Sequence, residues 1–209
     1  MPADALEGIL IRSRADYVFK KGDLIQNGSG FGALENRRRQ QTGERLLPEH
    51  LDFGEPGDAQ RHWMELLETG RLPEPRPDEV PPSYLVDDAW FDLVRRSREQ
   101  DGRNWYAAYM EGLFHMSRGA YPEAEACFEA SRALQPACWN LYALAICRYA
   151  QRDTEGGVPY LLEAMDRRPE DVSLARDVFR FLQECGQYDR IVERYTAFST
   201  QLQQDGKLK

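Results

Sequence analysis

The chain has 209 residues, of which 42% are hydrophobic and 30% charged, a balance typical of a protein that buries a core and unlike a disordered chain. Its formal net charge of −8 repels nucleic acid and anionic lipid at long range, so neither is expected as a partner. No stretch approaches the roughly 20 apolar residues of a membrane span, and the first residues lack a signal-peptide pattern. A cytoplasmic location is therefore expected.

The four cysteines are irregularly spaced, which predicts neither a zinc site nor a disulfide framework. Arginine greatly outnumbers lysine, which by codon usage indicates a GC-rich bacterial genome. We expect all four thiols to be small buried groups of a reducing compartment: Cys127, Cys138, Cys147 and Cys185.

Three helices separated by glycine-rich breaks are predicted in the N-terminal third of the chain. The first covers about residues 2–22, with a strand around Ile9 as the alternative. The second, "GFGALENRRRQQTG", ends at Gly43 and carries the basic run Arg37, Arg38 and Arg39. This run is interpreted as a solvated helix face, with an anion or nucleic-acid contact as the weaker alternative.

The third predicted helix, "DAQRHWMELLETG", ends at Gly70. Its apolar residues Trp63, Leu66 and Leu67 share one face. An exposed apolar helix would leave an interaction-prone patch, so we expect this face to dock on the helical solenoid domain that follows rather than to stay exposed.

Five prolines in "RLPEPRPDEVPPSY" exclude regular helix and predict an extended connector. This gives an N-terminal helical extension over 1–70, a connector over 71–84 and a helical domain over 85–209. Asp87 is the expected cap of the first helix after the connector.

A sequence unit recurs in the second half of the chain, where each copy follows an amphipathic helix. Its first copy has a Gly-x-Tyr turn at 119–121, followed by Ala124, Phe128 and Pro136. The other two copies place residues at matching offsets, although the second has a shorter turn: Gly157, Leu161 and Pro169, then Gly186, Tyr188, Ile191 and Tyr195.

The spacing predicts pairs of closely packed helices. Gly112 and Ala124 are small enough to let the two helices of the first pair approach, and Phe128 would fill the space beside them. We therefore expect Gly112→Leu to destabilise the protein and Gly112→Ala to be tolerated.

Residues 104–200 resemble the tetratricopeptide repeat family in the helix with Gly112, the Gly-x-Tyr turn, Ala124, Phe128 and Pro136. The resemblance implies an all-α fold, a right-handed α-solenoid of about three helical hairpins preceded by an irregular helical N-terminal extension. In that family, partners usually bind the concave groove lined by the first helix of each hairpin.

The stretches "NGSGFGALENRRR" and "LDFGEPGDAQRHWMELLETGRLPEP" resemble the C-terminal region of a bacterial family of unassigned function. Members of that family join tetratricopeptide repeats to a β-sandwich similar to galactose mutarotases. The resemblance implies that the chain is the helical tail of a larger ancestral protein.

No catalytic constellation is visible, and no metal or cofactor is expected. "GSGFG" lacks the spacing of a dinucleotide fingerprint, so a flexible turn is favoured. The histidines at 50, 62 and 115 are scattered, and a packed His115 is favoured over a ligand beside Glu111. The carboxylates Glu123, Glu125 and Glu129 are interpreted as solvating charges.

Candidate binding residues lie on the predicted first helices. An apolar stripe on the first unit is interpreted as core packing or, less favoured, as a partner-binding strip: Tyr106, Tyr109, Leu113 and Met116. Asn140 of the second unit is grouped with them. On the third unit, Arg176 and Arg180 stand one turn apart with Gln183, and could bind a carboxylate or a peptide terminus, against the favoured alternative of solvated arginines.

These features predict a non-enzymatic interaction module that binds a protein or peptide partner in its groove. Self-association through the repeat or the N-terminal extension is left open. The alternative is a helical tail or subunit of a carbohydrate-metabolism protein whose β-sandwich catalytic domain is absent from this chain.

Overall fold

The computed structural model describes residues 30–47 and 53–197, and in this part of the chain every regular element is a helix. The all-α prediction is thereby confirmed, and the predicted helix over 2–22 lies outside the described residues. A short 3-10 helix, Asp58–Gln60, precedes the second α-helix. The α-helices are α1 Phe31–Thr42, α2 Arg61–Thr69, α3 Asp88–Gln100, α4 Trp105–Ser117, α5 Tyr121–Leu134, α6 Cys138–Ala150, α7 Thr154–Arg167, α8 Val172–Glu184 and α9 Tyr188–Ala197.

Both helices of the N-terminal part end at the predicted glycines. Gly43 follows α1 with φ 72° and Gly70 follows α2 with φ 73°, a left-handed conformation that favours glycine. Asp87 caps α3 as predicted, because its side chain accepts a hydrogen bond from the Trp90 N–H. The sequence signals for helix ends are confirmed at these three positions.

The apolar face of α2 docks on the rest of the protein. Trp63 is only 1% exposed, and its ring meets that of Trp90 edge-on at 5.7 Å. The Trp63 indole N–H donates to Ser83 Oγ at 2.8 Å. Leu66 is buried and Leu67 is half-buried against the same core, which continues into α4, α6 and α8. The docking prediction is confirmed.

An ionic cluster links α1 to α3. The Arg38 guanidinium donates to both oxygens of Glu35 and to both oxygens of Glu44, at 2.7–2.9 Å. Glu35 also accepts from Arg39 Nε at 2.7 Å and from the Trp90 indole N–H at 3.0 Å. The two carboxylates thus accept charge-assisted hydrogen bonds from two guanidiniums, beside the buried Trp90 side chain.

The basic run of α1 is therefore not one solvated face. Arg37 is exposed, but Arg38 is buried because Glu35 and Glu44 neutralise its charge. Burial acts to raise the pKa of Glu35, yet the hydrogen bonds from Arg38, Arg39 and Trp90 outweigh it and the pKa lies below its ordinary value. For Arg38, the solvated-face interpretation is wrong.

Helices α4 to α9 follow one another at a regular interval. The first helices of the three predicted units begin at Trp105, Cys138 and Val172, and the second helices begin at Tyr121, Thr154 and Tyr188. Both series advance by about 34 residues a step, within the range that is typical of helical repeats. Turns of three or four residues join successive helices, and each helix packs against the next.

Small residues mark the closest helix contacts in this region. A Cβ atom placed on Gly112 would overlap the ring carbons of Phe128, so the structure leads us to expect that Gly112→Ala destabilises the protein rather than being tolerated. In the next pair, a Cβ on Gly157 would lie 3.0 Å from the carbonyl oxygen of Ala145. Both glycines are required by the approach of a neighbouring helix.

The cysteines divide into two kinds. Cys138 and Cys147 are fully buried, and burial raises the pKa of each thiol to about 12. Cys127 lies beside the polar Arg98 and Glu111 side chains, and Cys185 lies just after the end of α8. Both are only partly buried, so the prediction of burial is wrong for these two. All four thiols are free.

Candidate partner-binding groove

The predicted apolar strip on α4 packs inside the protein. Four of its side chains are no more than 2% exposed: Tyr106, Tyr109, Leu113 and Met116. The Tyr109 hydroxyl lies 3.3 Å from that of Tyr84, and burial raises the pKa of Tyr106 and Tyr109 well above the ordinary value. The favoured interpretation of core packing is therefore confirmed for these four residues, and their burial leaves them unavailable to a partner in this structure.

Asn140 is also buried, and its side chain joins α5 to α6. Its Oδ1 accepts from the Ala137 N–H at 3.0 Å, and its Nδ2 donates to the Gln135 carbonyl at 2.9 Å and to Ser131 Oγ at 3.1 Å. Ser131 in turn donates to the Trp105 carbonyl at 2.8 Å. A side chain with both ends satisfied in the core has nothing left for a partner, so Asn140 is corrected to a structural residue.

The proline-rich segment covers this face of the helices. We call residues 72–85 the strap. It is irregular, as predicted, but it is not a free linker, because Leu72, Tyr84 and Leu85 are each 2% exposed. The Tyr84 ring meets the Tyr109 ring edge-on at 6.1 Å. The chain itself thus occupies the surface that α4 would offer to a partner.

The residues predicted on α8 remain at the surface. The Arg176 and Gln183 side chains are exposed, and Arg180 is partly exposed. Arg180 Nη2 donates to Asp177 Oδ1 at 2.6 Å, and Arg176 Nε lies 3.9 Å from the same oxygen. One acidic side chain of the same helix therefore partly neutralises both guanidiniums, and a partner carboxylate would compete with it.

An aromatic cleft lies between α6 and α8, next to these arginines. The Tyr149 ring lies 4.7 Å from the Phe181 ring, and the Tyr149 hydroxyl donates to Glu184 Oε2 at 2.7 Å. That hydrogen bond raises the pKa of Tyr149. The cleft encloses only about 10 Å³, roughly the room of one water molecule, so a partner would lie across it rather than inside it. It is lined by Tyr142, Ile146, Tyr149, Asp177, Arg180, Phe181 and Glu184.

A second pocket, of about 300 Å³, opens between α1 and α2. Arg37 lies at its edge, where its guanidinium contacts the Met64 sulfur at 3.5 Å. The lining mixes amides, one acid and apolar side chains: Arg37, Gln40, Gln41, Met64, Leu67 and Glu68.

The carboxylates of α5 do more than solvate the helix. Glu125 pairs with Arg148 of α6 at 2.5 Å, and Glu129 accepts from the Tyr160 hydroxyl of α7 at 2.8 Å. The solvating interpretation is wrong for these two residues, because both bridge to a neighbouring helix. Glu123 is exposed.

The other sequence candidates show structural contacts. His115 is half-buried and lies edge-on to the stacked rings of Phe114 and Phe91, whose centres are 5.7 and 5.5 Å away. Gly32 of "GSGFG" lies against the Phe53 ring, where it leaves no space for a Cβ atom.

Within residues 30–47 and 53–197, no group of three His, Cys, Asp or Glu side chains could hold a metal ion. None of the helices in those ranges is long and apolar enough to cross a membrane.

Sequence reasoning missed the acidic side chains of the strap. Glu74 Oε1 accepts from the Trp105 N–H at 2.9 Å, and Asp78 Oδ1 accepts from the Cys138 N–H at 3.0 Å. These are the first residues of α4 and α6, whose free N–H groups attract negative charge. Glu74 and Asp78 stand four residues apart within a proline-rich stretch, where the backbone is stiff, and this placement was the signal that could have indicated them.

Comparison with models of protein families finds no match to this chain, and comparison with curated proteins finds none either.

Proposed function

We propose that the chain is a non-enzymatic protein–protein interaction module. In this proposal α4–α9 form a right-handed solenoid of three hairpins of the tetratricopeptide repeat type, which binds a peptide or helix. The observation that carries it is the nearly constant interval between the starts of equivalent helices, at Trp105, Cys138 and Val172. An enzyme needs no such interval, whereas stacked repeats produce one because each unit packs only on its neighbours.

Two further features support this arrangement. Turns of three or four residues favour antiparallel neighbours, as a hairpin requires. The contacts of Gly112 with Phe128 and of Gly157 with Ala145 bring helices together at matching places in successive pairs.

The binding surface in this proposal is the outward face of α8 with the adjoining cleft. Arg176, Arg180 and Gln183 supply polar donors there, and Tyr149 and Phe181 supply aromatic area. Arginine and aromatic side chains are enriched where protein interfaces gain most of their affinity. A partner with an acidic side chain or carboxyl terminus would compete with Asp177 for the two guanidiniums.

The test is affinity capture with the full chain, followed by titration of each purified partner. The variant Arg176→Ala/Arg180→Ala is compared with the parent and with Arg95→Ala/Arg96→Ala, a matched loss of two exposed charges on α3. We expect affinity to fall at least tenfold for the α8 variant only. If every captured protein binds all three forms equally well, the proposed surface is wrong.

A second candidate is the helical tail of a carbohydrate-metabolism protein. It is supported by the open pocket of about 300 Å³ between α1 and α2, the part of the chain that carries "GALENRRR". A β-sandwich partner would cover this pocket. The test is coexpression with any β-sandwich protein encoded next to this chain: copurification that Arg37→Glu weakens supports the candidate, and failure to copurify contradicts it.

A further inference from the structure

The strap lies across the first helices of two successive repeat units. Its contacts with α4 include the Leu72 carbonyl, which accepts from Asn104 Nδ2 at 2.6 Å, and the Glu74 carboxylate at the Trp105 N–H. Its contacts at α6 come further along, where the Asp78 carboxylate meets the Cys138 N–H. The strap therefore spans the N-terminal ends of α4 and α6, which the proposed function makes part of the partner-binding face.

The centre of the strap is held differently from its ends. Leu72 at one end and Tyr84 and Leu85 at the other belong to the hydrophobic core. Between them Glu74, Arg76, Glu79 and Val80 are exposed, and Pro81 is the buried apolar residue. Segments with few buried apolar contacts open locally at a lower free energy than the core. We therefore expect the centre to open more readily than the ends.

The side chains that contact the centre of the strap bind its backbone carbonyls and one carboxylate, and they do not select a particular sequence. Arg168 Nη1 donates to the Asp78 carbonyl at 2.5 Å, and the Trp139 indole N–H donates to the Glu79 carbonyl at 2.9 Å. The Arg168 guanidinium also lies 5.6 Å from the centre of the Trp139 ring, while Arg167 Nη1 lies 3.8 Å from the Asp78 carboxylate. Any extended peptide with an acidic residue in this position could supply the same oxygens.

We propose that the strap is an internal ligand that masks a binding surface formed by the first residues of α4 and α6 and the end of α7. Its competitor is an extended, proline-containing peptide that places a carboxylate where Asp78 now lies. This inference rests on the proposed function, because it assumes that the first helices form a binding face, and it adds a class of ligand and a means of control. Binding is weak while the strap is closed, because the peptide must first displace it.

The test uses the full chain and a fluorescent synthetic peptide with the sequence of residues 73–82, the centre of the strap. In the variant Asp78→Arg the introduced charge is repelled by Arg167 and Arg168, which releases the centre of the strap. Glu79→Arg is the matched control, because it makes the same charge change at an exposed neighbouring residue. Far-UV circular dichroism verifies that each variant is folded.

Fluorescence anisotropy should show that the peptide binds Asp78→Arg at least tenfold more tightly than it binds the parent or Glu79→Arg. A peptide with alanine in place of the residue equivalent to Asp78 should lose most of this affinity. Equal affinity for all three forms, or no binding to a folded Asp78→Arg variant, overturns the proposal.

Hydrogen exchange of the parent protein gives a second measurement that needs no variant. The Cys138 amide should exchange through local opening, well before the amides in the middle of α4. Exchange of Cys138 only on global unfolding overturns the proposal even if the variant does not fold. A partner that depends on Arg176 and Arg180 would still support the proposed function, so the two can fail separately.

Discussion

Phe128 lies against Gly112 so closely that its ring fills the space of a missing side chain, and a Cβ atom on the glycine would overlap the ring carbons. The regular helix interval makes Ala145 and Leu161 the corresponding residues of the next helix pair, and both are fully buried. The large aromatic residue thus lies against glycine, and the equivalent positions of the next pair carry the smaller leucine and an alanine.

The first prediction is that Gly112→Ala destabilises the protein and that Phe128→Leu rescues it. The added methyl group overpacks the contact, which costs about 1–3 kcal/mol. Phe128→Leu alone leaves a cavity, but together the two changes recreate the combination found in the next pair. The double variant should therefore unfold at a higher urea concentration than the sum of the single effects predicts.

The control for this rescue is Gly32→Ala, which overpacks against Phe53 at a separate contact. Combined with Phe128→Leu, it should give effects that add within about 0.5 kcal/mol, as distant sites do. If the free-energy changes of Gly112→Ala and Phe128→Leu also add, the two residues are not in direct contact.

The second prediction concerns the docked N-terminal part. Trp63→Ala should lower the free energy of unfolding by about 3–5 kcal/mol, since it removes a fully buried aromatic side chain. Urea unfolding followed by circular dichroism should remain a single transition. Val80→Ala, at a side chain that is 45% exposed, should change stability by less than about 0.5 kcal/mol. Limited proteolysis that removes only residues before the strap from the parent protein would show that this part does not share the core.

The third prediction is a pH dependence of the Arg38 cluster. Hydrogen bonds from Arg38 and Thr42 hold the pKa of Glu44 at about 2, below its ordinary value of 4.5. A lowered pKa in the folded state contributes stability that is complete above pH 4.5 and is lost as the pH falls toward 2. Glu44→Gln should thus lower the melting temperature at pH 7, and this deficit should shrink below pH 4.5. If Glu44→Gln lowers the melting temperature equally from pH 7 to pH 3, its effect comes from packing and not from the charge of Glu44.

The fourth prediction separates a structural residue from a binding residue. Asn140→Ala leaves the Ala137 N–H without its acceptor in the core, and should cost about 1–3 kcal/mol. Gln183→Ala, at an exposed position, should leave stability nearly unchanged. Thermal melts compare the two variants. If Asn140→Ala melts like the parent, the junction of α5 and α6 does not depend on this amide.

Local signals predicted most of the helices, because glycines, prolines and capping residues act within a few positions of themselves. Gly43, Gly70 and Asp87 end or start helices where the sequence indicates. The same reasoning missed the burial of Arg38, since neutralisation by Glu44 depends on a turn after the helix rather than on helix periodicity.

The candidate site was harder to predict than the helices. Periodicity showed that Tyr106 and Tyr109 share a face, but it could not tell which part of the chain covers that face. The strap covers it through contacts between residues as far apart in sequence as Asp78 and Arg168. The composition of the strap, taken alone, predicts a linker. Arg176 and Arg180 were placed correctly at the surface, but their shared neighbour Asp177 was not considered.

The side-chain sizes at Gly112 and Ala145 and at the residues opposite them determine which helices can be exchanged between repeat units. A chimaera with a second copy of α7 in place of α5 would set leucine opposite Gly112 and leave a void where the phenylalanine ring had been. The converse chimaera, with α5 in place of α7, would press Phe128 onto Ala145. Moving α4 and α5 together keeps each glycine or alanine with its own partner, so the cassette that recombination can exchange is the pair of helices and not the single helix.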